Sequence, residues 1–235
     1  MYRCRLLFVF VTIPGFVAPA VAEGLDLSYD VAASTDYMFR GVSQTGSDPA
    51  LQASVSVDTD NGWYGYLWAS NVDYVQPPEP DDGVRSELNI FIGHNWTVSE
   101  RLQADLAWVR YVTPSAHEDM DYDEWFGTVT LDDRHALTVT YSDDVYGSGA
   151  PSWHYLAATS FDLPAEVTLE LHVGSVDLRD AYGESYEYGG ASLVRSFGVL
   201  TAKLDYLQTS SNAKRVSEES LIKPRVVLTV GLNFE

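Results

Sequence analysis

Apolar and polar residues alternate one by one through most of this chain, and few folds accept that pattern a dozen times over. From Leu25 to Ser34, the side chains of Leu25, Leu27, Tyr29, Val31 and Ala33 share one face, while Asp26, Ser28, Asp30 and Ser34 share the other. That is the two-residue period of a strand with unlike sides. Similar segments run over Ala50–Asp58, Val84–Trp96, Asp123–Leu131, Ser152–Phe161 and Tyr186–Val194, and a last one ends with Val226, Leu228, Val230, Leu232 and Phe234. The segment Trp63–Val72 is aromatic on both faces, which leaves its facing open. The reading is all-β: a transmembrane antiparallel up-and-down β-barrel of about 12 strands, since closure satisfies every backbone donor and acceptor in lipid.

The links sharpen this expectation. Long ones fall at Thr35–Asp48, Asp73–Gly83, Thr113–Tyr122, Asp143–Ala150, Asp177–Ser185 and Thr209–Ser220. Between them come short ones at Thr59-Asp60-Asn61-Gly62, Thr97–Glu100, Asp132-Asp133-Arg134, Asp162–Ala165 and Ser196–Val199. Strict alternation of long and short links predicts external loops at one end and periplasmic turns at the other. A β-sandwich, the competing architecture, has no reason to sort its links in this way.

Met1–Ala22 is read as a secretory signal peptide. Arg3 and Arg5 give a basic start, Leu6 to Val17 an apolar run, and Ala20-Val21-Ala22 a small-residue cleavage site. The barrel domain then occupies residues 23–235. Cleavage removes Cys4, the single cysteine, so neither a disulfide nor thiol chemistry is expected in the exported chain. Without Arg3 and Arg5, 12 basic residues face 34 acidic ones, a net charge of −22, which makes nucleic acid an unsuitable partner. The 15 Tyr and 6 Trp suffice for aromatic belts at two membrane interfaces.

The run Ser34-Thr35-Asp36-Tyr37-Met38-Phe39-Arg40-Gly41-Val42-Ser43-Gln44-Thr45, followed by Asp48-Pro49-Ala50, resembles the opening signature of the TorF porin family, exported proteins of Gram-negative bacteria. Gly62-Trp63-Tyr64 and Trp68-Ala69-Ser70-Asn71 resemble its second block. The resemblance implies an outer-membrane porin-like barrel without a defined substrate, and it assigns no catalytic or ligand residues. Phe234, closing an alternating strand, resembles the signal read by the barrel-assembly machinery, although Glu235 follows it. The expected partners are outer-membrane lipid, lipopolysaccharide, that machinery and small hydrophilic solutes. The expected assembly is a monomer or trimer, and no cofactor is predicted.

Arg40 is the most singular candidate residue, a cation in a loop beside Asp36, Tyr37 and Ser43. Folded inward, its guanidinium either narrows a pore or pairs with a lumenal Asp and pins the loop. The inward register collects Asp26, Asp30, Asp58, Glu87, Asp105, Glu170 and Asp205 against Lys203, an excess that favours cations. For a barrel of this size, the alternative is a lumen nearly filled by side chains. His154 and His172 are expected opposite or nearly opposite each other on neighbouring strands, with Glu170 two residues away, a weak set of metal-ligand types. Ser152, His154, Asp143 and Asp144 are the residues a rim lipid hydrolase would use, though no nucleophile motif surrounds Ser152. The acidic links Glu79, Asp81, Asp82 and Glu118, Asp119, Asp121 lack the ordered spacing of a calcium loop and read as solvated.

Overall fold

A computed structural model of the protein describes residues 24–74, 82–114, 116 and 120–234. The signal peptide reading, Pro77, Pro78, Pro80, Glu79, Asp81, Glu118, Asp119 and Glu235 lie outside the described residues.

The strands are β1 (Leu25–Ser34), β2 (Met38–Phe39), β3 (Val42–Ser43), β4 (Ala50–Thr59), β5 (Trp63–Asn71), β6 (Ser86–Thr97) and β7 (Leu102–Val112). They continue as β8 (Tyr122–Leu131), β9 (His135–Ser142), β10 (Ser152–Leu163), β11 (Val167–Leu178), β12 (Glu184–Phe197), β13 (Leu200–Thr209) and β14 (Arg225–Phe234). All but β2 and β3 form one closed antiparallel barrel, with each strand beside its sequence neighbour. β1 closes it, pairing Leu25 with Thr59 of β4 on one side and Tyr29 with Phe234 of β14 on the other.

Burial in this molecule is inverted relative to a water-soluble protein. Leu51, Val226 and Leu137 are exposed by 60% or more on the outside, whereas Asn89, Thr140 and Ser192 are each 1% exposed within. No dry layer separates two stacked sheets, so the sandwich is excluded and the greasy face must meet lipid. Exposed aromatics stand at both rims of that face: Trp63, Trp96, Phe161 and Phe197 near the short turns, and Trp125 and Trp153 near the long loops. They form the two girdles of a transmembrane barrel. Leu204, in the middle of β13 between Leu193 and Leu228, lies on the outer face. In liposomes Leu204→Arg should lower the unfolding free energy by about 2–4 kcal/mol. An unchanged urea midpoint would place that face in water instead.

Barrel register settles the facing of the aromatic segment. Trp63 and Leu67 point out, while Trp68 is buried and the Tyr64 hydroxyl donates to lumenal Asp105 at 3.2 Å. One expected loop contracts. The link predicted over Asp177–Ser185 is residues 179–183, because Asp177 pairs with Ser185 and Leu178 with Glu184. A single helical turn, Arg179–Tyr182, bridges them and ends at Gly183 in the left-handed region (φ 78°). The alternation of link lengths therefore survives only narrowly there, five residues against three in the preceding turn.

The packed core sits inside the loop end of the barrel. Tyr111, Tyr122, Phe126, Val145, Val176, Tyr186 and Tyr188 form a buried cluster, and Phe39 and Val42 from the first long loop pack against it. That loop runs down into the lumen rather than out into solvent.

Candidate functional site

The inward loop is built around a tight hairpin. β2 and β3 pair Met38 with Ser43 and Phe39 with Val42, leaving Arg40 and Gly41 as a two-residue turn. Both have positive φ, 49° and 81°, as a type I′ turn requires. Asp36 braces the base, accepting from the hydroxyls of Ser43 (2.6 Å) and Thr45 (2.9 Å) while Arg225 of β14 approaches its other oxygen at 3.2 Å. Tyr37 lies beside Trp68 with ring centroids 5.1 Å apart, and Gly41 accepts a 2.6 Å hydrogen bond from Thr209 Oγ1 across the lumen.

At the tip, Arg40 meets Glu124 of β8. Nη1 donates to Oε1 at 2.8 Å and Nη2 to Oε2 at 2.6 Å, with the two side chains 5% and 1% exposed. Tyr111 adds a third donor to Glu124 at 3.0 Å. Burial is the largest influence and works against the guanidinium charge, but the facing Glu124 carboxylate and the neighbouring Tyr111 and Tyr146 together outweigh it, so the Arg40 pKa lies well above its ordinary value. The pair is charge-assisted and forked, which fixes the tip in position as well as attracting it. In this geometry the Arg40 guanidinium is paired with a lumenal carboxylate. The partner differs from the expected Asp: it is Glu124, which shares the inward register with Tyr122 and Phe126 and could have been read from that spacing.

The hairpin divides the lumen. On the turn side lies a cavity of about 160 Å³ whose lining includes Arg40, His154, His172, Lys203 and Asp205; on the loop side lies one of about 260 Å³ lined by Glu87 and several tyrosines. Phe39 borders both.

The remaining predicted residues fall into separate groups. Asp26 stands at the turn end opposite Asp58. Asp30 accepts from Ser54 at 2.7 Å and its Oδ1 has no partner; Asp105 accepts from Tyr64 and its Oδ2 has none. Glu87 is held by Tyr37 (3.4 Å), Asn89 (2.7 Å) and Tyr74. Lys203 lies between Glu170 (3.4 Å) and Asp205 (3.2 Å), so its single charge is shared by two acids and the group keeps a net negative charge. Arg225, which holds Asp36, had no signal beyond its place at the loop end of the last strand.

His154 and His172 are not opposite each other. His154 pairs with Val176 and His172 with Ala158, four residues along, because the turn at residues 164–166 sets a register that their distances from it do not match. Both lie beside Tyr188 instead, His154 stacked at 5.8 Å and His172 tilted at 6.0 Å between ring centroids. Among the described residues no three His, Cys, Asp or Glu side chains gather as a metal site. His154 contacts Tyr188 Oη through Nε2 (2.8 Å) and Thr140 Oγ1 through Nδ1 (3.4 Å), which leaves neither nitrogen to activate Ser152, itself 3% exposed beside Ser142.

The barrel is similar to solved porins. Against the structure titled "NanC porin structure in rhombohedral crystal form" the TM-score is 0.58 at 8% identity, covering 88% of this chain and 99% of the other. Against "KdgM porin" it is 0.56 at 7% identity, covering 88% and 99%, with the same values for that porin in complex with disordered oligogalacturonate. At such identity the likeness is one of fold. No curated protein sequence matches. The sequence model of one family, described as a bacterial protein of unknown function (Gcw_chp), matches residues 19–234. With nearly the whole barrel inside that match, the chain belongs to the Gcw_chp family.

Proposed function

We propose that the protein is an outer-membrane porin that lets small hydrophilic solutes diffuse, with a preference for cations, through a lumen narrowed by the Arg40 hairpin. Residues 1–22 direct export, the short turns face the periplasm, and the long loops face lipopolysaccharide. The TorF-like signature coincides with the inward hairpin and belongs to this reading, as does recognition of the Phe234 strand by the assembly machinery.

The observation that carries the reading is the imbalance of lumenal charge. Arg40 is neutralised by Glu124 and Lys203 by Glu170 and Asp205, whereas Asp30 and Asp105 are hydrogen-bonded by neutral donors and each keeps one oxygen without a partner. A wall of that sign attracts cations and repels anions. A unit charge about 4 Å from a passing ion is worth roughly 1 kcal/mol in water-like surroundings. Asp30→Asn and Asp105→Asn should thus each lower the potassium-to-chloride permeability ratio by at least roughly fivefold, since the lost charge both favours potassium and opposes chloride. The measurement is the reversal potential across a planar bilayer under a salt gradient, and a ratio unmoved by both substitutions would refute cation selection by this wall.

One feature favours a second reading. The buried Arg40–Glu124 pair holds the hairpin across the lumen, which suits a barrel that binds rather than conducts. Absence of current from correctly refolded protein supports that alternative. Esterase activity lost in Ser152→Ala would point instead to the rim hydrolase.

A further inference from the structure

We propose that the cavity on the loop side of the hairpin is a binding site for a small organic cation, a solute carrying an alkylated ammonium group. This rests on the cation-preferring reading of the lumen and takes it to a class of solute. The space is about 260 Å³, a little below the roughly 300–1,000 Å³ of sites for drug-sized ligands, so its occupant is small.

The lining is suited to that chemistry. Glu87 is the one charged side chain among the described residues that line the cavity, and no Lys or Arg is among them. Around it stand Tyr74, Tyr111, Tyr122, Tyr146 and Tyr186. Two of the hydroxyls are committed elsewhere: Tyr111 donates to Glu124 and Tyr74 to Glu87 itself. Tyr111 and Tyr122 stack with centroids 4.5 Å apart, and Tyr146 meets Tyr122 edge-on at 5.0 Å, so the rings form one continuous aromatic wall. Burial pushes the Tyr146 phenol up to about 12, which keeps it neutral.

A carboxylate offers about four acceptor sites, and Tyr37, Asn89 and Tyr74 take three at Glu87. Every one of those donors is neutral. A cation with methyl groups on its nitrogen would place them against the tyrosine rings and its charge toward Glu87, the arrangement by which aromatic cages recognise quaternary ammonium. An anion would meet the Glu87 carboxylate with no compensating cation among the described lining residues. A neutral solute of equal shape would gain the apolar contact alone.

The test compares choline with neohexanol, its uncharged carbon isostere, by titration calorimetry on the refolded full chain in detergent micelles. Wild type should bind choline more tightly than neohexanol by roughly tenfold or more. Glu87→Gln should cut that preference several-fold, leaving only the part the tyrosine rings supply. Tyr146→Leu should weaken choline by roughly fivefold, while Tyr146→Phe, which keeps the ring, should not. Equal binding of both ligands by wild type overturns the proposal, as does a preference for choline that survives both Glu87→Gln and Tyr146→Leu undiminished. Current is recorded separately. A silent barrel that still prefers choline would overturn the channel and leave this site standing; a cation-selective pore indifferent to choline would do the reverse.

Discussion

Glu124→Ala is expected to release the Arg40 hairpin from the lumen and raise single-channel conductance several-fold. In the wild-type protein both oxygens of Glu124 accept from the Arg40 guanidinium, in surroundings where the two side chains are almost wholly buried. Removing one partner strands a buried charge, a loss of about 3–5 kcal/mol. The barrel is not where that cost falls, because its strands are paired all the way round. It falls on the hairpin, which has only two cross-strand residue pairs of its own and is otherwise held by side-chain contacts and by two backbone hydrogen bonds beyond its turn, Ser43 to Leu221 and Asp73 to Gln44. Moving Arg40 into water is then the cheaper response. Trypsin should cleave after Arg40 in the variant and spare it in wild type, giving a readout independent of current. The double variant Arg40→Met with Glu124→Leu removes both charges and should re-dock the hairpin, since an apolar pair of similar volume often replaces a buried ion pair without loss. Conductance and protease resistance that are unchanged in Glu124→Ala would show that something other than this pair holds the loop.

Gly41→Val should open the lumen through the same motion without altering any charge. Gly41 has φ 81°, a region that costs a residue with a side chain about 1–2 kcal/mol and a β-branched one more. A Cβ there would lie 2.3 Å from Thr209 Oγ1 and 2.6 Å from Tyr188 Cβ, and the second of these cannot swing aside as the end of a long side chain could. Overpacking of this kind adds about 1–3 kcal/mol. The two costs together rival the loss of the ion pair. Because Arg40 and Glu124 both remain, conductance should rise as in Glu124→Ala while trypsin again gains access. A Gly41→Val barrel with wild-type conductance and an intact loop would mean that the turn can relax in place, and that the close approach to β12 and β13 is not what the glycine serves.

Much of this was legible residue by residue. The alternation in Leu25–Ser34 or Val167–Val173 shows which side chains face lipid, because a strand's two faces are set by a local two-residue period that needs no knowledge of its neighbours. It fails where both faces carry similar residues, as in Trp63–Asn71, where only pairing with β4 and β6 sends Tyr64 and Trp68 inward. It also overestimated the fifth long link, because Asp177 and Ser185 look like loop residues in isolation and are strand residues once paired. The candidate site was half visible. Arg40, Asp36, Tyr37 and Ser43 stood out as one cluster within a single loop, whereas Glu124 lies 84 residues further along the chain from the Arg40 it holds.

By itself the sequence determined a closed sheet with a greasy outside, an acidic inside and a first loop rich in turn residues. Those properties arise from side-chain type and spacing within a few residues. Only the tertiary structure decided that Arg40 faces Glu124, that His154 and His172 converge on Tyr188, and that the hairpin separates a cavity on its turn side from one on its loop side. These depend on where each strand stops against the next, and register accumulates around the whole circumference until closure, so no local stretch of residues contains it.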